Sequence, residues 1–296
     1  MIKKISILLL FSCSVNAQAI QTGLTFLKLG IGARSIAMAE AFTAVGNDQS
    51  ASYYNPAALR TAHANEVMLM HKEWIAETAT EYLGATILGD DFHYAFSALS
   101  TSTGDIEVRT KPAPEPEGTF SSRNFSMGFS ASFSLTDNID VGATGKFLYE
   151  KIFVDEASGY GIDFGLLYKL DNNWYIGSSI LNIGSMNELR SEPSKLPTTL
   201  RIGTSYIYSI SPEFSALGAA DVLKTLSDDL THLNVGAELT YENLLSVRGG
   251  YQTGYEFKSY SAGFGIQYKI IKFDYAFVPF TGAFTSSHTF SVSFIL

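Results

Sequence analysis

The sequence predicts an all-β protein: a 14-stranded antiparallel transmembrane β-barrel with a short N-terminal helical plug. Three observations favour this class. The chain begins with a segment typical of export signals, and it is 46% hydrophobic without offering the roughly 18 consecutive apolar residues that a spanning helix needs. From about residue 66 onwards, apolar and small polar residues alternate over long stretches.

The first 17 residues are predicted to be a signal peptide. Lys3 and Lys4 give a charged start, residues 5–11 form an apolar core, and Val15-Asn16-Ala17 is a small-residue cleavage site. An alternative is lipoprotein processing at Cys13, the only cysteine of the chain. Cleavage after Ala17 would leave a mature protein that cannot form a disulfide.

Residues 18–64 are predicted to form a plug inside the barrel, because they alone have a helical rhythm. Ser35 is well placed as the N-cap of a short Ala-rich helix. Gly46-Asn47 is a suitable stop, since both residues tolerate the left-handed conformation. Asn55-Pro56 then forces a turn, because proline disfavours the helical region for the residue before it.

The composition narrows the class of the remaining chain. Only 17% of the residues are charged, against roughly 25% in soluble domains, while 13% are aromatic. An exported chain of this kind is either a secreted β-sandwich or an outer-membrane barrel. The net charge of -9 argues against nucleic acid as a partner, because its binders carry basic patches.

Residues 65–296 are predicted to form the barrel. The fourteen candidate strands are about 66–74, 78–88, 92–102, 121–135, 138–152, 158–170, 173–183, 198–210, 213–223, 230–241, 243–252, 257–269, 271–280 and 287–296. Their lengths match or exceed the roughly 9–11 residues that a tilted strand needs to cross a membrane.

Alternation along these strands decides between sandwich and barrel. In the strand at 121–135, Phe125, Phe129 and Phe133 share one face with other apolar residues, and serines and Gly128 share the other. Sandwich strands average about five or six residues, whereas long alternation with an apolar outer face is typical of transmembrane barrels. Strands 173–183 and 213–223 alternate poorly and are placed only by spacing.

The connections between the strands also alternate in length. Six are tight turns, whereas the segments 103–120, 184–197 and 224–229 are long. Outer-membrane barrels have short periplasmic turns and longer outer loops. An even strand number then returns both termini to the periplasm.

The stretch from Gly32-Ala33-Arg34-Ser35 to Asn55-Pro56-Ala57 resembles the N-terminal signature of the PorV/PorQ family of outer-membrane barrels. That family is similar in fold to the FadL hydrocarbon transporters. The sequence resemblance extends over about residues 23–59. Beyond them only the predicted architecture is similar. It implies a plugged barrel whose signature residues are Gly32, Arg34, Ser35, Asp48, Asn55, Pro56 and Ala57.

Several charges fall on the inferred lumen face: Asp140, Lys146, Glu150, Asp163, Lys169, Arg201, Glu238, Arg248, Lys272 and Asp274. Charged groups on the lipid face would cost about 2–4 kcal/mol at the midplane, so they point inward whatever the function. They either brace the barrel interior or line a substrate path. Arg34 could pair with a lumen carboxylate such as Asp163 or Glu238 and so hold the plug.

No catalytic, cofactor or metal site is expected. Gly30-Ile31-Gly32 lacks the third glycine and the βαβ context of a dinucleotide site. The five histidines show no metal-ligand spacing, and no nucleophile elbow is present.

Two functions follow from the resemblance. The PorV/PorQ likeness implies an accessory barrel of type IX secretion that binds the translocon or exported cargo proteins. The alternative, drawn from FadL-like barrels, is passive uptake of a hydrophobic ligand through a plugged lumen. Either way the protein would be integral to the bacterial outer membrane, in contact with its lipid.

Overall fold

The computed structural model describes residues 23–112, 114–228, 230–282 and 284–296. The predicted signal peptide and the alternative processing site at Cys13 lie outside them. None of the described helices is long and apolar enough to cross a membrane.

The described strands that form the wall make one closed barrel in which each strand is antiparallel to both neighbours. They are β1 (Glu66–Glu73), β2 (Thr78–Leu88), β3 (Phe92–Val108), β4 (Gly118–Thr136), β5 (Ile139–Ile152), β6 (Asp155–Lys169), β7 (Trp174–Met186), β10 (Thr199–Ser209), β11 (Phe214–Thr225), β12 (Leu230–Tyr241), β13 (Leu245–Gln252), β14 (Tyr260–Tyr268), β15 (Ile271–Val278) and β16 (Ser287–Ile295). Two-residue strands β8 (Glu188–Leu189) and β9 (Glu192–Pro193) form a separate small ribbon that is not part of the closed sheet. The predicted 14-stranded antiparallel barrel is confirmed.

The barrel closes where β1 pairs with β16, from Glu66 opposite Ile295 to Glu73 opposite His288. Tight turns such as 137–138 and 269–270 lie at the end that also holds the C-terminal residue, here called the short-turn end. Segments 109–117, 187–198 and 253–259 lie at the opposite, long-loop end.

The wall presents an apolar band outward. Phe129, Phe147 and Phe164 are at least half exposed, and aromatic residues border the band at both ends. In β6 the band runs from Tyr160 to Tyr168, which corresponds to roughly 20 Å along the barrel axis for a strand tilted by about 40°. That height is close to the apolar band of outer-membrane barrels.

Residues 23–64 lie inside this wall. They form a 3-10 turn (Thr25–Lys28), helix α1 (Ala33–Ala37), helix α2 (Ala51–Tyr54) and a second 3-10 helix (Pro56–Thr61). Gly23 lies against Ser194 at the long-loop end, so this segment crosses the lumen before it enters β1 at the short-turn end. The position expected for the N-terminus itself concerns residues outside the described ones.

The predicted helix is shorter than expected, and Ser35 is not its N-cap. Gly32 precedes α1, and Ser35 lies within it, where its hydroxyl donates to the Gly32 carbonyl at 2.8 Å. Ala39 and Glu40 have left-handed φ angles of 54° and 61°, which end the helix well before Gly46. Tertiary contacts of this turn with the wall override the alanine-rich helix propensity.

Strands β3 and β4 are longer than predicted. The predicted loop 103–120 shortens to 109–117, because Ile106 pairs with Phe120 and Val108 with Gly118 beyond a register shift. The Phe120 ring packs edge-on against Phe153, with centroids 5.7 Å apart. The β3–β4 hairpin therefore projects beyond the neighbouring strands.

The plugged lumen as candidate functional site

Glycines on the lumen face let the plug lie directly against the wall. A Cβ built on any of them would lie within 2.0–2.6 Å of a plug atom, a separation that real Cβ atoms essentially never show. This glycine belt consists of Gly84, Gly142, Gly165, Gly177, Gly236, Gly250 and Gly263. Because the belt runs around most of the barrel, the plug packs closely against the wall, as side chains do in a protein core.

Wall hydroxyls bind the plug backbone within this belt. Ser179 donates to the Tyr54 carbonyl and Ser205 to the Ala44 carbonyl, each at 2.7 Å. Ser261 donates to the Ala37 carbonyl and accepts from the Ala39 N–H, both at 2.9 Å. These bonds satisfy backbone groups that the irregular plug would otherwise bury without partners.

One acidic residue of the wall, Asp221, anchors the turn at Phe42 and Thr43. A single carboxylate oxygen accepts from both backbone N–H groups at 2.9 Å and from the Thr43 hydroxyl at 2.6 Å. Arg201 binds the same oxygen at 2.9 Å and also donates to the Glu40 carbonyl. The pair is buried, so it joins plug and wall as one charged unit.

Arg34 joins the plug to the wall near the short-turn end. Its guanidinium forms two hydrogen bonds with Glu238, both of 2.8 Å. Glu238 also binds Arg248, which in turn binds Asp274 at 2.7 Å. Sequence reasoning named Glu238 and Asp163 as candidate partners of Arg34, and the structure places Glu238 there.

Asp48 of the plug completes this network. Lys272 lies 2.8 Å from its carboxylate and Arg34 lies 3.9 Å away. Burial alone would raise the pKa of the Asp48 carboxyl, but these two cations hold that pKa well below its usual value. A small polar cavity of about 120 Å³ beside Arg34, Glu238 and Lys272 opens at this end.

The rest of the predicted signature shapes the plug. Gly32 has φ 86°, a conformation that favours glycine, and a Cβ there would lie 2.7 Å from the Ser50 hydroxyl. Asn55 accepts from the Ala57 N–H at 3.1 Å and donates to the Thr43 carbonyl at 2.8 Å. Pro56 packs against Gly142.

The remaining predicted lumen charges have partners in the wall or in the connection 187–198. Lys146 binds Asp163 at 2.6 Å, and Lys169 lies 3.2 Å from Asp140. Glu150 accepts from the Ser194 hydroxyl at 2.7 Å. Each predicted lumen charge thus has a partner in the described structure, an arrangement that braces the interior.

Sequence reasoning also missed several charged contacts of the plug among the described residues. They include Asp221, the Lys28–Asp228 pair, the Glu40–Lys258 pair of 3.1 Å and Glu66, which accepts from the Gln49 N–H at 3.0 Å. Burial raises the pKa of Glu40, but Lys258 and then Lys72 more than offset this, so that pKa lies below its usual value. The signal for Asp221 was present: a lone charge in the apolar run 216–223 must face the lumen.

The lumen face also has an apolar sector. Its wall residues are Met68, Met70, Tyr82, Leu99, Leu148, Ala157 and Met186. They form one buried cluster with Leu24, Phe26, Leu27 and Ile31 of the plug and Leu196 of the connection 187–198. Lumen faces of outer-membrane barrels are typically polar, so this sector departs from the pattern.

Comparisons with known proteins bear on the fold. A model described as a family of unknown function (DUF5723) matches residues 92–192, and no curated protein sequence matches the chain. The structure is similar to the Pseudomonas putida toluene transporter TodX, with TM-score 0.64 and 14% identity over 89% of this chain and 97% of that one. It is also similar to a Pseudomonas aeruginosa FadL homologue, with TM-score 0.55 and 13% identity over 88% of this chain and 96% of that one.

At sequence identities of 14% and 13%, these structural similarities establish the fold alone. The chain has the fold of the FadL-type outer-membrane barrels.

Proposed function

We propose that this protein is an outer-membrane barrel that lets hydrophobic small molecules cross, in the manner of FadL-like channels. The observation that carries this proposal is the apolar sector of Met70, Tyr82, Leu99 and Leu148 on a lumen face that is otherwise polar. Binding sites for small molecules are concave and mostly apolar. The fold likeness to a toluene transporter supports the same function.

The lumen charges support an apolar cargo rather than a polar one. The charged pairs around Arg34, Asp48 and Asp221 bind plug to wall or wall to itself. A polar solute would have to compete with these buried pairs, and breaking one of them costs about 3–5 kcal/mol.

A second candidate function is the accessory role in type IX secretion that the N-terminal resemblance implies. The structural feature that favours it is the projecting β3–β4 hairpin. Ile106, Phe120 and Phe153 lie at this hairpin and the adjoining β5–β6 turn, where Phe153 is 60% exposed. An exported protein or a translocon subunit would dock there.

Gentle detergent extraction of a tagged copy from its native membrane tests both functions. Mass spectrometry of the purified sample should find the barrel without stoichiometric protein partners, and extraction with solvent should release apolar small molecules. Recovery of a large translocon barrel or of exported cargo in stoichiometric amounts would contradict the uptake function and establish the secretion role.

A further inference from the structure

Two cations lie side by side on the outer surface of the wall. Arg123 of β4 and Lys151 of β5 are directly opposite each other in register, and both are exposed. Neither side chain forms an ion pair or a hydrogen bond with any of the described residues. Glu156 lies opposite Lys151 on its other side, but its carboxylate accepts from the Tyr149 hydroxyl at 2.8 Å. Since like charges that face each other across a strand pair destabilise a sheet, this pair needs a counter-charge from outside the chain.

The cation pair lies just beyond the apolar band of the wall. On the outward face of β4, Phe125 is followed towards the long-loop end by Arg123, and on β5 Tyr149 is followed by Lys151. The long loops of outer-membrane barrels are on the external side, so this end lies in the outer leaflet. Basic side chains at such a depth extend their charged ends to the headgroup region while their stems stay against apolar surface.

An apolar groove of about 480 Å³ adjoins this pair on the outer wall. The small residues Ala98 and Ser100 of β3 leave a depression between the larger Leu83 and Phe125 side chains of the neighbouring strands. Its volume lies in the range of binding sites for small molecules, about 300–1,000 Å³. Because Phe125 lines the groove and Arg123 is the next outward residue of β4, an apolar chain in the groove can carry its polar end to the cations.

The opposite side of the groove has the opposite charge. His71 and Glu81 line it there and bind each other at 2.6 Å. Glu81 belongs to β2, which is two strands and roughly 10 Å away from β4. Its carboxylate repels an anion, so an anionic group at the mouth of the groove is directed towards Arg123 and Lys151.

We propose that this surface binds a molecule of lipopolysaccharide from the outer leaflet. An acyl chain of its lipid A lies in the groove, and a lipid A phosphate is bound by Arg123 and Lys151. A guanidinium binds phosphate oxygens through two parallel hydrogen bonds, and the lysine ammonium adds a point charge. This inference goes beyond the proposed function and does not depend on it.

Native mass spectrometry of the detergent-purified protein tests the site, with hexa-acylated diphosphoryl lipid A as the probe. The unchanged protein should form a one-to-one complex. The double variant Arg123→Gln with Lys151→Gln should bind about thirtyfold more weakly, which is about 2 kcal/mol, because each basic residue near an anionic membrane surface contributes about 1 kcal/mol. Equal affinity of the variant and the unchanged protein would overturn the site.

The matched control removes two cations from the same end that already have partners. The Arg109 guanidinium lies 2.7 Å from Glu107, and that of Arg190 lies 3.5 Å from Asp155. Arg109→Gln with Arg190→Gln makes the same change in net charge and should leave the affinity for lipid A unchanged, because neither arginine lines the groove. An equal loss in both double variants would show a response to net charge alone and would contradict a defined site.

A substitution in the groove tests the acyl chain separately from the phosphate. Ala98→Phe fills the depression while both cations stay, and should lower the affinity at least about tenfold, the effect of excluding about two CH₂ groups from an apolar site. Ala143→Phe is the control, since Ala143 is an exposed outer-wall alanine of β5 that does not line the groove. Unchanged affinity in Ala98→Phe would show that no acyl chain occupies the groove.

Two further probes and one pull-down decide the class of ligand. Lipid A without its phosphates should bind the unchanged protein as weakly as intact lipid A binds the Arg123→Gln, Lys151→Gln variant. Phosphatidylglycerol that binds as tightly as lipid A would overturn the assignment to lipopolysaccharide. A protein that purifies with the unchanged barrel from its native membrane, but not with this double variant, would show a protein-docking site instead.

Discussion

Asp221 illustrates how single residues hold this barrel together. Its carboxylate accepts from two backbone N–H groups and one hydroxyl of the plug while it pairs with Arg201. Hydrogen bonds to a charged acceptor are roughly twice as strong as neutral ones. One wall residue thereby fixes the turn that separates α1 from the rest of the plug.

We expect Asp221→Asn to destabilise the folded barrel markedly, because Arg201 would stay buried without its carboxylate, at a cost of about 3–5 kcal/mol. The measurement is the temperature at which the folded band converts to the unfolded band on a detergent gel. Asp155→Asn is the control: its pair with Arg190 is largely exposed, and such pairs contribute about 0–1 kcal/mol. Equal shifts in both variants would show that Asp221 is not an anchor.

At this scale, sequence reasoning could predict which charges point inward but not most of their partners. The cost of a charge facing lipid places Glu238, Arg248 and Asp274 in the lumen from alternation alone. Which charges pair depends on strand register and on the path of the plug, and hydrophobic alternation gives information on neither. Asp221 was missed because β11 alternates poorly, since Leu217 and Ala219 on its lumen side pack against the plug.

The glycine belt is the central feature at the scale of elements. Lumen glycines in seven of the wall strands replace the side chains that would otherwise fill the barrel. The space they leave is taken by plug backbone next to Gly142, Gly177, Gly236 and Gly250, and by the side chains of Gln49, Asn55 and Ala37 next to the other three. The inner surface of the wall and the plug are therefore complementary in shape.

We expect Gly236→Leu to push the plug aside, because even a Cβ there would lie 2.5 Å from the Met38 carbonyl. Planar bilayers containing this variant should show an ion conductance that the unchanged protein lacks. Gly218→Leu is the matched control, since a Cβ at Gly218 has no described atom within 4 Å. If both variants conducted ions to a similar extent, or if neither conducted, the role of the glycine belt in holding the plug would be contradicted.

Strand number and outward faces could be predicted at this scale, whereas several boundaries could not. Hydrophobic alternation identifies β4, β6 and β14 because lipid outside and polar groups inside select it. Strand β7 alternates poorly because its irregular pairing buries Leu181 and Asn182 side by side. The frequent glycines were visible in the sequence, but their grouping on the lumen face depends on the plug that fills it.

At the scale of the whole molecule, the barrel is a shell around a fixed inner plug and a lightly held outer segment. The inner plug is locked by Arg34, Asp48 and Asp221, whereas the segment 23–29 fills an apolar sector with few polar contacts. We expect this packed, charge-bonded plug to exclude ions and polar solutes.

Uptake across an intact outer membrane is the most direct test of the proposed function. Cells of a lipopolysaccharide-bearing host that produce the protein should accumulate radiolabelled toluene faster than cells with an empty vector. Entry of nitrocefin, a polar β-lactam, should be the same in both. Equal toluene uptake would contradict passage of apolar molecules, and faster nitrocefin entry would show an open pore instead of a plugged barrel.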